Sequence, residues 1–383
     1  MNKFVKEENN VLLNPVDWFN FYGSFVSIFE NIRDKTIKSE TEICLYNPKK
    51  PDSKDLSEPT FILKNGLVEV KKLNEFDIQS KVVQVIDNND IDREVTKYRP
   101  THVIIEALWV VPSKFAVLTK LHPNVKWIIR LHSEMPFMAG EGNAMDWLGD
   151  YSRFKNIIIG VNAPRMLRET RLYLQHLNKW TETKTNEKVV YLPNYYPQEY
   201  KNKPFNKDKY WVDVGCFGAI RPLKNHLLQA FGAIEFAEKI GKQLRFHVNA
   251  GRIEMQGGPA LNNLKGLFQQ INEHGHQMVN HQWRPREDFL ELCSEMDIGL
   301  QVSFSETFNI VGADLVSQGV PLVGSVEIPW HVPYFGADPT SSKNICDKLL
   351  LAYRFPQINA SLNQWELTRY TNKTSKIWHK YFT

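Results

Sequence analysis

Short apolar runs, separated by amphipathic stretches, recur along most of the chain. In the first half these runs lie at 10–14, 42–47, 81–86, 102–108, 126–132, 156–162 and 188–194. They are rich in Val and Ile and do not alternate with polar residues, which is typical of strands buried on both faces of a sheet. Amphipathic segments at 24–34 and 113–122 lie between them and predict helices. Strands and helices in alternation predict a parallel sheet with crossover helices.

The pattern stops at 193–210 and then begins again. This segment, PNYYPQEYKNKPFNKDKY, is rich in Pro, Asn, Lys and Tyr and has almost no aliphatic residues. We interpret it as a linker, with a domain boundary near 197–208. After the linker, the sequence predicts strands at 211–218, 244–251, 297–303 and 321–325, and helices at 224–240, at 261–274 and from 308 onward.

The pattern as a whole predicts an α/β protein with two Rossmann-like, doubly wound domains that face a central cleft. The first domain spans 1–196 and the second spans 197–362. Ligands of such folds bind at the carboxyl ends of the strands. The tail 363–383 combines helical spacing with aromatic residues. We expect it to form a helix that packs back on the N-terminal domain.

Composition narrows the class of protein. A hydrophobic content of 42% and a charged content of 23% are those of a globular protein, and the net charge of +4 predicts no strongly basic surface. The four cysteines include no CxxC pair, which predicts reduced thiols rather than zinc sites or disulfides. The first residues lack the apolar core of a signal peptide, and no apolar run reaches about 18 residues. We expect a soluble protein of the cytoplasm, or of the host cytoplasm if it is viral.

The stretch SETFNIVGADLVSQGVPLVGS, at 305–325, carries two carboxylates around a predicted helix start. Glu306 lies in the loop after a predicted strand, where it can accept hydrogen bonds from sugar hydroxyls. Asp314 lies further along the helix and can bind a ribose diol. Backbone N–H groups at the helix start form an anion site suited to a phosphate, and they belong to Phe308, Asn309 and Ile310. The two carboxylates also suit a helix cap and a solvated helix position.

A strand, a glycine loop and a helix start are predicted by a second stretch, VGCFGAIRPLKNH, at 214–226. Glycines let a backbone approach a ligand closely. Arg221 and Lys224 lie in the loop, and two cations beside a helix start suit a diphosphate.

Together, in this order, the two motifs resemble those of the C-terminal domain of GT-B fold glycosyltransferases, most closely the retaining family 4 type. The E-x7-E motif of that family corresponds to Glu306 and Asp314, and its G-x-P-V-V successor to GVPLV at 319–323. Its diphosphate loop corresponds to GAIRPLKN at 218–225. The resemblance covers about residues 188–330.

The resemblance implies a role for each residue of the two motifs. Glu306 would contact the donor sugar, Asp314 the ribose, and Arg221 with Lys224 the diphosphate, while residues 308–310 supply backbone donors. The second acid is Asp where the family has Glu. Arg221 also stands closer to Lys224 than the arginine of the family does, so Lys224 matches the family more closely.

The N-terminal half resembles the family in topology only. Gly23 stands in a loop with five aromatic residues between 18 and 25, where the family often has a pair of glycines. His132 ends a predicted strand at the position of a family histidine that faces the reacting sugar. Acceptor hydroxyls are expected near the Gly23 loop and near three carboxylates, those of Glu106, Glu134 and Glu141. Arg252, after a strand of the second domain, is a candidate for nucleotide contact. Each of these residues also suits a structural or solvated position.

We therefore expect a retaining glycosyltransferase that transfers a hexose or pentose from a nucleotide diphosphate sugar to a hydroxyl acceptor, a glycan in most of the family. The nucleotide sugar is a co-substrate, and no cofactor or metal is expected, because no DxD motif stands in a suitable loop. The nearest candidate, DNND at 87–90, lies in the N-terminal half. Arg221, Lys224 and the helix N-terminus would neutralise the leaving group instead.

Two alternatives stay open. Between 151 and 196, eight Lys and Arg residues stand against three Glu. This basic strip suits a solvated helix face, but it also suits a phage-type enzyme that glycosylates hydroxymethylated bases in DNA. The second alternative is a non-catalytic nucleotide- or sugar-binding module on the same fold. An NAD-dependent Rossmann enzyme is excluded, because no GxGxxG follows an early strand.

Overall fold

We describe the protein from a computed structural model, in which the described residues are 41–47, 79–85, 88–106, 108, 110–140, 142–254 and 256–382. The chain divides into two compact units. One comprises the residues up to Tyr195 together with those from Lys373 onward, and the other comprises Tyr196–Asn372. The predicted strand at 10–14 and helix at 24–34 lie outside the described residues.

The first unit contains a sheet in the order β2-β1-β3-β4-β5-β6. Its strands are β1 Thr41–Asn47, β2 Gln79–Val85, β3 His102–Glu106, β4 Lys126–Leu131, β5 Ile157–Val161 and β6 Val189–Tyr191. From β3 to β6, neighbouring strands pair in parallel, as predicted. β1 pairs antiparallel with both β2 and β3, so the prediction of parallel pairing is wrong there. An apolar run indicates that a strand is buried, but it carries no information about the direction of that strand.

Helices connect the parallel strands of the first unit. They are α1 Asn88–Tyr98, α2 Phe115–Leu121 (after a 3-10 turn at Pro112–Lys114), α3 Met135–Met138, α4 Ala144–Ser152, α5 Pro164–Asn178 and α6 Glu182–Lys188. Phe115 packs edge-on against Trp127 and against Tyr151, with ring centroids 5.6 Å apart in each pair. All three rings are fully buried and form the core on this face of the sheet.

The second unit contains a sheet in the order β12-β11-β10-β7-β8-β9, and every pairing in it is parallel. Its strands are β7 Trp211–Gly215, β8 Gln243–Val248, β9 Gln277–Asn280, β10 Ile298–Gln301, β11 Leu322–Ser325 and β12 Gly336–Ala337. The sequence pattern missed the two edge strands, β9 and β12. β9 has polar residues at both ends, and β12 is only two residues long.

The helices of the second unit cover both faces of this sheet. They are α7 His226–Lys239, α8 Gly258–Gln270, α9 Arg286–Glu295, α10 Ile310–Ser317, α11 Ser342–Arg354 and the first part of α12 Pro356–Phe382, with 3-10 turns at Pro222–Lys224, Asn272–His274 and Pro333–Phe335. The residues of α12 from Lys373 onward belong to the first unit. Gly232 lets α7 approach α11 closely, because a Cβ at this position would lie 2.7 Å from Ile345 Cγ2. The predicted linker, 193–210, contains no helix or strand. Across the part of the chain that the structure describes, no helix is long and apolar enough to cross a membrane.

Candidate functional site

The strand order of the second unit reverses between β7 and β10. The chain passes from β7 outward to β8 and β9, and then returns to β10 on the other side of β7. Ligands of doubly wound sheets bind at such a reversal, outside the carboxyl ends of the two strands. The loops that follow β7 and β10 contain Lys224 and Glu306, so the topology brings the two sequence motifs to one place.

Polar side chains tie these two loops together. The Gln229 side chain donates to Lys224 O (2.7 Å) and accepts from Val302 N (2.7 Å). The Asn225 side chain donates to Val302 O (3.1 Å), and Phe304 N donates to Leu223 O (2.9 Å). The positions of the two loops are therefore fixed before any ligand binds.

Lys224 and Glu306 form an ion pair at this point, in which Lys224 Nζ donates to Glu306 Oε1. The two residues are only 6% and 7% exposed, so little water competes for the contact. Gly218 begins the glycine loop with φ of +116°, a conformation that favours glycine, and donates its N–H to Asn249 Oδ1 (3.1 Å). An ammonium has three N–H donors, and one of them is used here. The pair thus places a cation and a carboxylate side by side, and their predicted contacts with a phosphate and a sugar stay predictions.

The helix after Glu306 begins at Ile310 and not at Phe308. Asn309 has φ of +57°, and its side chain caps the helix by accepting from Gly312 N (2.7 Å). This left-handed residue delays the helix start by two positions. Phe308 is buried, and its carbonyl accepts from Trp330 Nε1 (2.6 Å). Phosphate binding by the backbone N–H groups of residues 308–310 stays a prediction.

Asp314 is fully buried within α10. Its Oδ1 lies 2.7 Å from Arg286 Nη1 and accepts from the Tyr196 hydroxyl, also at 2.7 Å. Burial, together with the adjacent Asp314 carboxylate, raises the pKa of Tyr196 well above its ordinary value, so Tyr196 remains a donor. Among the described residues, Asp314 Oδ2 has no hydrogen-bond donor. The carboxylate is part of a structural network here, and its predicted ribose contact is not tested by these contacts.

Arg221 and Arg252 converge on one carboxylate, that of Glu254. Arg252 Nε lies 2.6 Å from Glu254 Oε1, and Arg221 Nη1 lies 3.5 Å from Glu254 Oε2. The Arg252 guanidinium also lies over the Trp283 ring, 4.8 Å from its centroid. The backbone bridge between Ile220 and Ile253 brings the two loops into register. Arg252 therefore stands beside the glycine loop, although the sequence did not indicate Glu254 as the partner of either arginine.

The first unit has its own polar cluster at the carboxyl ends of β3 to β6. Arg130, fully buried, donates to Glu106 (3.0 and 3.2 Å), to Leu192 O (3.0 Å) and to Asn194 Oδ1 (3.0 Å). The Glu106 carboxylate also accepts from His132 Nε2. His132 and Glu106, predicted separately, thus form one buried unit around Arg130.

These contacts fix the tautomer of His132. A carboxylate only accepts, so Nε2 carries the proton, and the Asn162 amide lies 3.5 Å from Nδ1 as a donor. Burial acts to raise the pKa of Glu106, but the adjacent Arg130 and His132 prevail and hold it below its ordinary value. Glu106 was predicted to bind acceptor hydroxyls. In the structure Glu106 is only 7% exposed and its carboxylate accepts from Arg130 and His132, and its contact with an acceptor stays a prediction.

The remaining acceptor-side residues divide into two groups. Glu134 directly precedes α3 and is only 4% exposed. Its carboxylate forms an ion pair with Arg165. Gly23 and Glu141 lie outside the described residues. The basic strip is also partly structural, because the Lys188 ammonium donates to three backbone carbonyls and Arg171 donates to Val189 O.

In the described part of the chain, no group of three or more His, Cys, Asp and Glu side chains is arranged to hold a metal ion. Two residues of the DNND segment, Asn88 and Asn89, begin α1 together with Asp90, which pairs with Arg93. Neutralisation of the leaving group by side-chain cations stays a prediction.

By sequence, no protein-family model and no curated protein matches this chain. By structure, it is similar to a UDP-forming α,α-trehalose-phosphate synthase from Burkholderia xenovorans, with 12% identity, a TM-score of 0.58, and coverage of 76% of this chain and 75% of that one. The N-terminal domain of a trehalose-6-phosphate phosphatase from Candida albicans is similar at 13% identity and TM-score 0.56, over 76% and 72% of the two chains. An E. coli trehalose-6-phosphate structure bound with UDP-2-fluoro glucose is similar at 13% identity and TM-score 0.56, over 76% and 74%.

The chain has the GT-B fold, the fold of these glycosyltransferases. The resemblance seen in the sequence motifs is confirmed at the level of the fold. The similar structures are trehalose-phosphate enzymes and not members of family 4, so the family-level part of the resemblance receives no support from them.

Proposed function

We propose that this protein is a retaining glycosyltransferase that transfers a sugar from a nucleotide diphosphate donor to a sugar hydroxyl. The observation that carries the proposal is the buried ion pair of Lys224 and Glu306 at the strand reversal of a GT-B domain. A cation and a carboxylate side by side suit the two halves of one donor, the diphosphate and the sugar.

Each residue of the pair has a distinct proposed role. Lys224 donates to phosphate oxygens, with Arg221 beside it, and stabilises the charge that develops on the leaving diphosphate. Glu306 accepts hydrogen bonds from hydroxyls of the transferred sugar. The N-terminus of α10 adds its dipole to the stabilisation of the leaving group. Since the departing phosphate can direct the acceptor to the same face of the sugar, retention requires no protein nucleophile.

His132 is proposed to contact a substrate hydroxyl through Nδ1. Glu106 holds the proton on Nε2, which makes Nδ1 the acceptor of the ring. The Asn162 amide that now lies 3.5 Å from Nδ1 is at the outer limit of a hydrogen bond, so a hydroxyl can displace it. His132 is 19% exposed at its side chain, more than Glu106 or Arg130.

A sugar or sugar phosphate is the proposed acceptor, since similar structures are named as trehalose-phosphate synthases. No observation favours hydroxymethylated DNA. Among the cations that were expected to follow a DNA backbone, Lys188 and Arg171 donate to backbone carbonyls of the protein, and Lys188 is only 7% exposed.

The proposal is tested by incubating the purified protein with UDP-, GDP- and ADP-sugars and with glucose, glucose 6-phosphate, maltose and hydroxymethylated duplex DNA. Products are identified by mass, and the anomeric configuration of the new bond by NMR. Transfer with retention supports the proposal, whereas inversion refutes its mechanism. Binding of a nucleotide sugar with neither transfer nor donor hydrolysis would support the non-catalytic alternative.

A further inference from the structure

Three side chains on neighbouring strands form a hydrogen-bonded chain in the second unit. Asp213 of β7 accepts from His247 Nε2 of β8 (2.9 Å), and His247 Nδ1 lies 2.8 Å from His281 Nε2, just after β9. The two imidazole rings lie edge to edge, with centroids 5.1 Å apart and planes 11° apart. Asp213 and His247 are only 2% and 6% exposed, while His281 is partly exposed. This row of three hydrogen-bonded side chains therefore has a buried end at Asp213 and an accessible end at His281.

The buried end fixes the proton positions along the chain. Arg245 pairs with both oxygens of Asp213 (2.5 and 2.6 Å), and Lys209 lies 3.6 Å away. Burial acts to raise the pKa of Asp213, but the hydrogen bonds from His247 and Arg245 prevail and hold that pKa well below its ordinary value. The carboxylate therefore only accepts, and His247 Nε2 carries a proton.

With one proton, on Nε2, the His247 imidazole presents a lone pair at Nδ1. The proton between the two rings then belongs to His281 Nε2. Burial lowers the pKa of His281 to about 4, with a smaller contribution from Arg284, so His281 is neutral near pH 7. A neutral ring with its proton on Nε2 has a lone pair on Nδ1. The accessible nitrogen of the chain is therefore an acceptor.

His281 stands close to the loop that we assign to the diphosphate. Its ring packs edge-on against Phe217, with centroids 6.0 Å apart, and Phe217 directly precedes Gly218. β9 is the edge strand, two strands from β7, a distance of roughly 10 Å along the sheet. A nucleoside attached to a diphosphate at β7 extends over a comparable distance, and its base is the end farthest from the phosphates.

We propose that His281 Nδ1 accepts a hydrogen bond from the ring N–H of the donor base (N3 of uracil or N1 of guanine), and so selects uracil or guanine over cytosine or adenine. This inference rests on the proposed donor site of the second unit. Uracil N3 is a donor and cytosine N3 is an acceptor, so UDP and CDP differ at the base atom that would form the hydrogen bond with His281 Nδ1. Asp213 and His247 act as positioning residues, because they determine which nitrogen of His281 is protonated.

The experiment is calorimetric binding of UDP, CDP and 2′-deoxy-UDP to the full chain. Wild type should prefer UDP to CDP by about 10- to 100-fold, the expected effect of one hydrogen bond made or lost at a partly buried acceptor. His281→Leu should reduce this preference to within about threefold, since the acceptor is gone. His274→Leu, an exposed histidine before the same strand, should leave the preference unchanged. Because UDP and CDP are compared on one variant, a general loss of stability cancels.

Asp213→Asn tests whether Asp213 and His247 determine which nitrogen of His281 is protonated. A carboxamide can donate to His247 Nε2, which moves the proton to Nδ1 and makes His281 Nδ1 a donor. The preference should then shift toward CDP. An unchanged preference for UDP in Asp213→Asn or in His281→Leu overturns the inference. The affinity lost in His281→Leu must also be lost for 2′-deoxy-UDP, which has the same base as UDP. If it is lost for UDP only, the inference is overturned as well. Equal affinity of wild type for UDP and CDP also overturns it and leaves the glycosyltransferase proposal intact. Failure to bind any nucleotide refutes the proposed function instead.

Discussion

The Lys224 ammonium donates to the Glu306 carboxylate across 82 residues of sequence, and both side chains are more than nine-tenths buried. A buried ion pair costs desolvation of both charges, and replacement by apolar residues of similar volume often does not destabilise a protein. The pair lies at the strand reversal, in loops tied together by Gln229 and Asn225, and its place there supports the proposed donor site.

Removal of either partner should abolish most transfer. For Lys224→Ala and for Glu306→Ala we expect turnover to fall about 100-fold or more, which corresponds to roughly 3 kcal/mol of lost transition-state stabilisation. Each variant should also lose stability, because the remaining charge is buried without its partner. Initial rates with saturating donor, together with thermal melting, measure the two effects separately.

The double variant Lys224→Met with Glu306→Gln is the matched control. It removes both charges and keeps the side-chain volumes, so the thermal midpoint should return toward that of wild type while transfer remains lost. Wild-type turnover in the double variant would show that the pair is structural and would reject it as the donor site.

Asp314→Asn should destabilise the second unit by roughly 3 kcal/mol, because it leaves the Arg286 guanidinium facing a neutral amide in a largely buried position. If the predicted ribose contact also exists, the donor KM should rise more than kcat falls, since a ribose contact is made equally in the ground and transition states. A lower melting temperature with an unchanged donor KM would remove Asp314 from the donor contacts and leave it a structural role.

Glu106→Gln should reduce turnover about 10- to 100-fold, the cost of a lost hydrogen bond to a charged group, because His132 is no longer held in one tautomer. His132→Ala should cost at least as much. If Glu106 acts through His132, the double variant should be no slower than His132→Ala alone. Additive losses would indicate that Glu106 contacts substrate by itself, as the sequence had suggested.

The hydrophobic pattern predicted most of the strands of both units, because buried parallel strands are apolar throughout. It failed where that signal is absent, as at β9, whose sequence is QMVN. Its prediction of parallel pairing is wrong at β1, since an apolar run is the same in a parallel and an antiparallel strand.

The sequence motifs located Lys224 and Glu306 but not the polar residues that contact the motif loops and the other predicted site residues. Gln229, Glu254 and Arg286 become visible only when the fold brings distant segments together, and a single sequence contains no signal that pairs them. The same holds for Asp314, for which a ribose contact was predicted and whose buried contacts with Tyr196 and Arg286 were not. Asn309 offered one local signal, because Asn is among the residues that adopt a left-handed conformation and cap helices.

Transfer should persist in EDTA. Arg221, Lys224 and the N-terminus of α10 can together neutralise the leaving diphosphate without a divalent cation. Rates are compared after dialysis against EDTA and after addition of Mg²⁺ or Mn²⁺, and we expect a change of less than about threefold, since no cation takes part in the proposed stabilisation. Complete loss of activity, restored by either ion, would show that a metal occupies the diphosphate site.

Acid should destabilise the second unit through its buried histidines. Burial, with smaller contributions from Lys224 and Arg221, lowers the pKa of His226 to about 3 from an ordinary value of 6.5. Between these two values the unfolded chain binds a proton that the folded chain does not, so the free energy of unfolding falls as the pH falls. Each such histidine contributes a slope of about 1.4 kcal/mol per pH unit within that window. Urea titrations at pH 7.5, 6.5, 5.5 and 4.5 measure the slope.

His226→Leu isolates the contribution of this residue. Neither ring nitrogen of His226 has a hydrogen-bond partner among the described residues, so leucine removes no hydrogen bond and fills much of the same space. We expect the variant to equal or exceed wild-type stability at pH 7.5 and to lose stability less steeply below pH 6.5. His176→Leu, at an exposed position on α5, is the control and should retain the wild-type slope. Equal slopes in wild type and His226→Leu would mean that His226 is protonated in the folded protein, which its burial between two cations argues against.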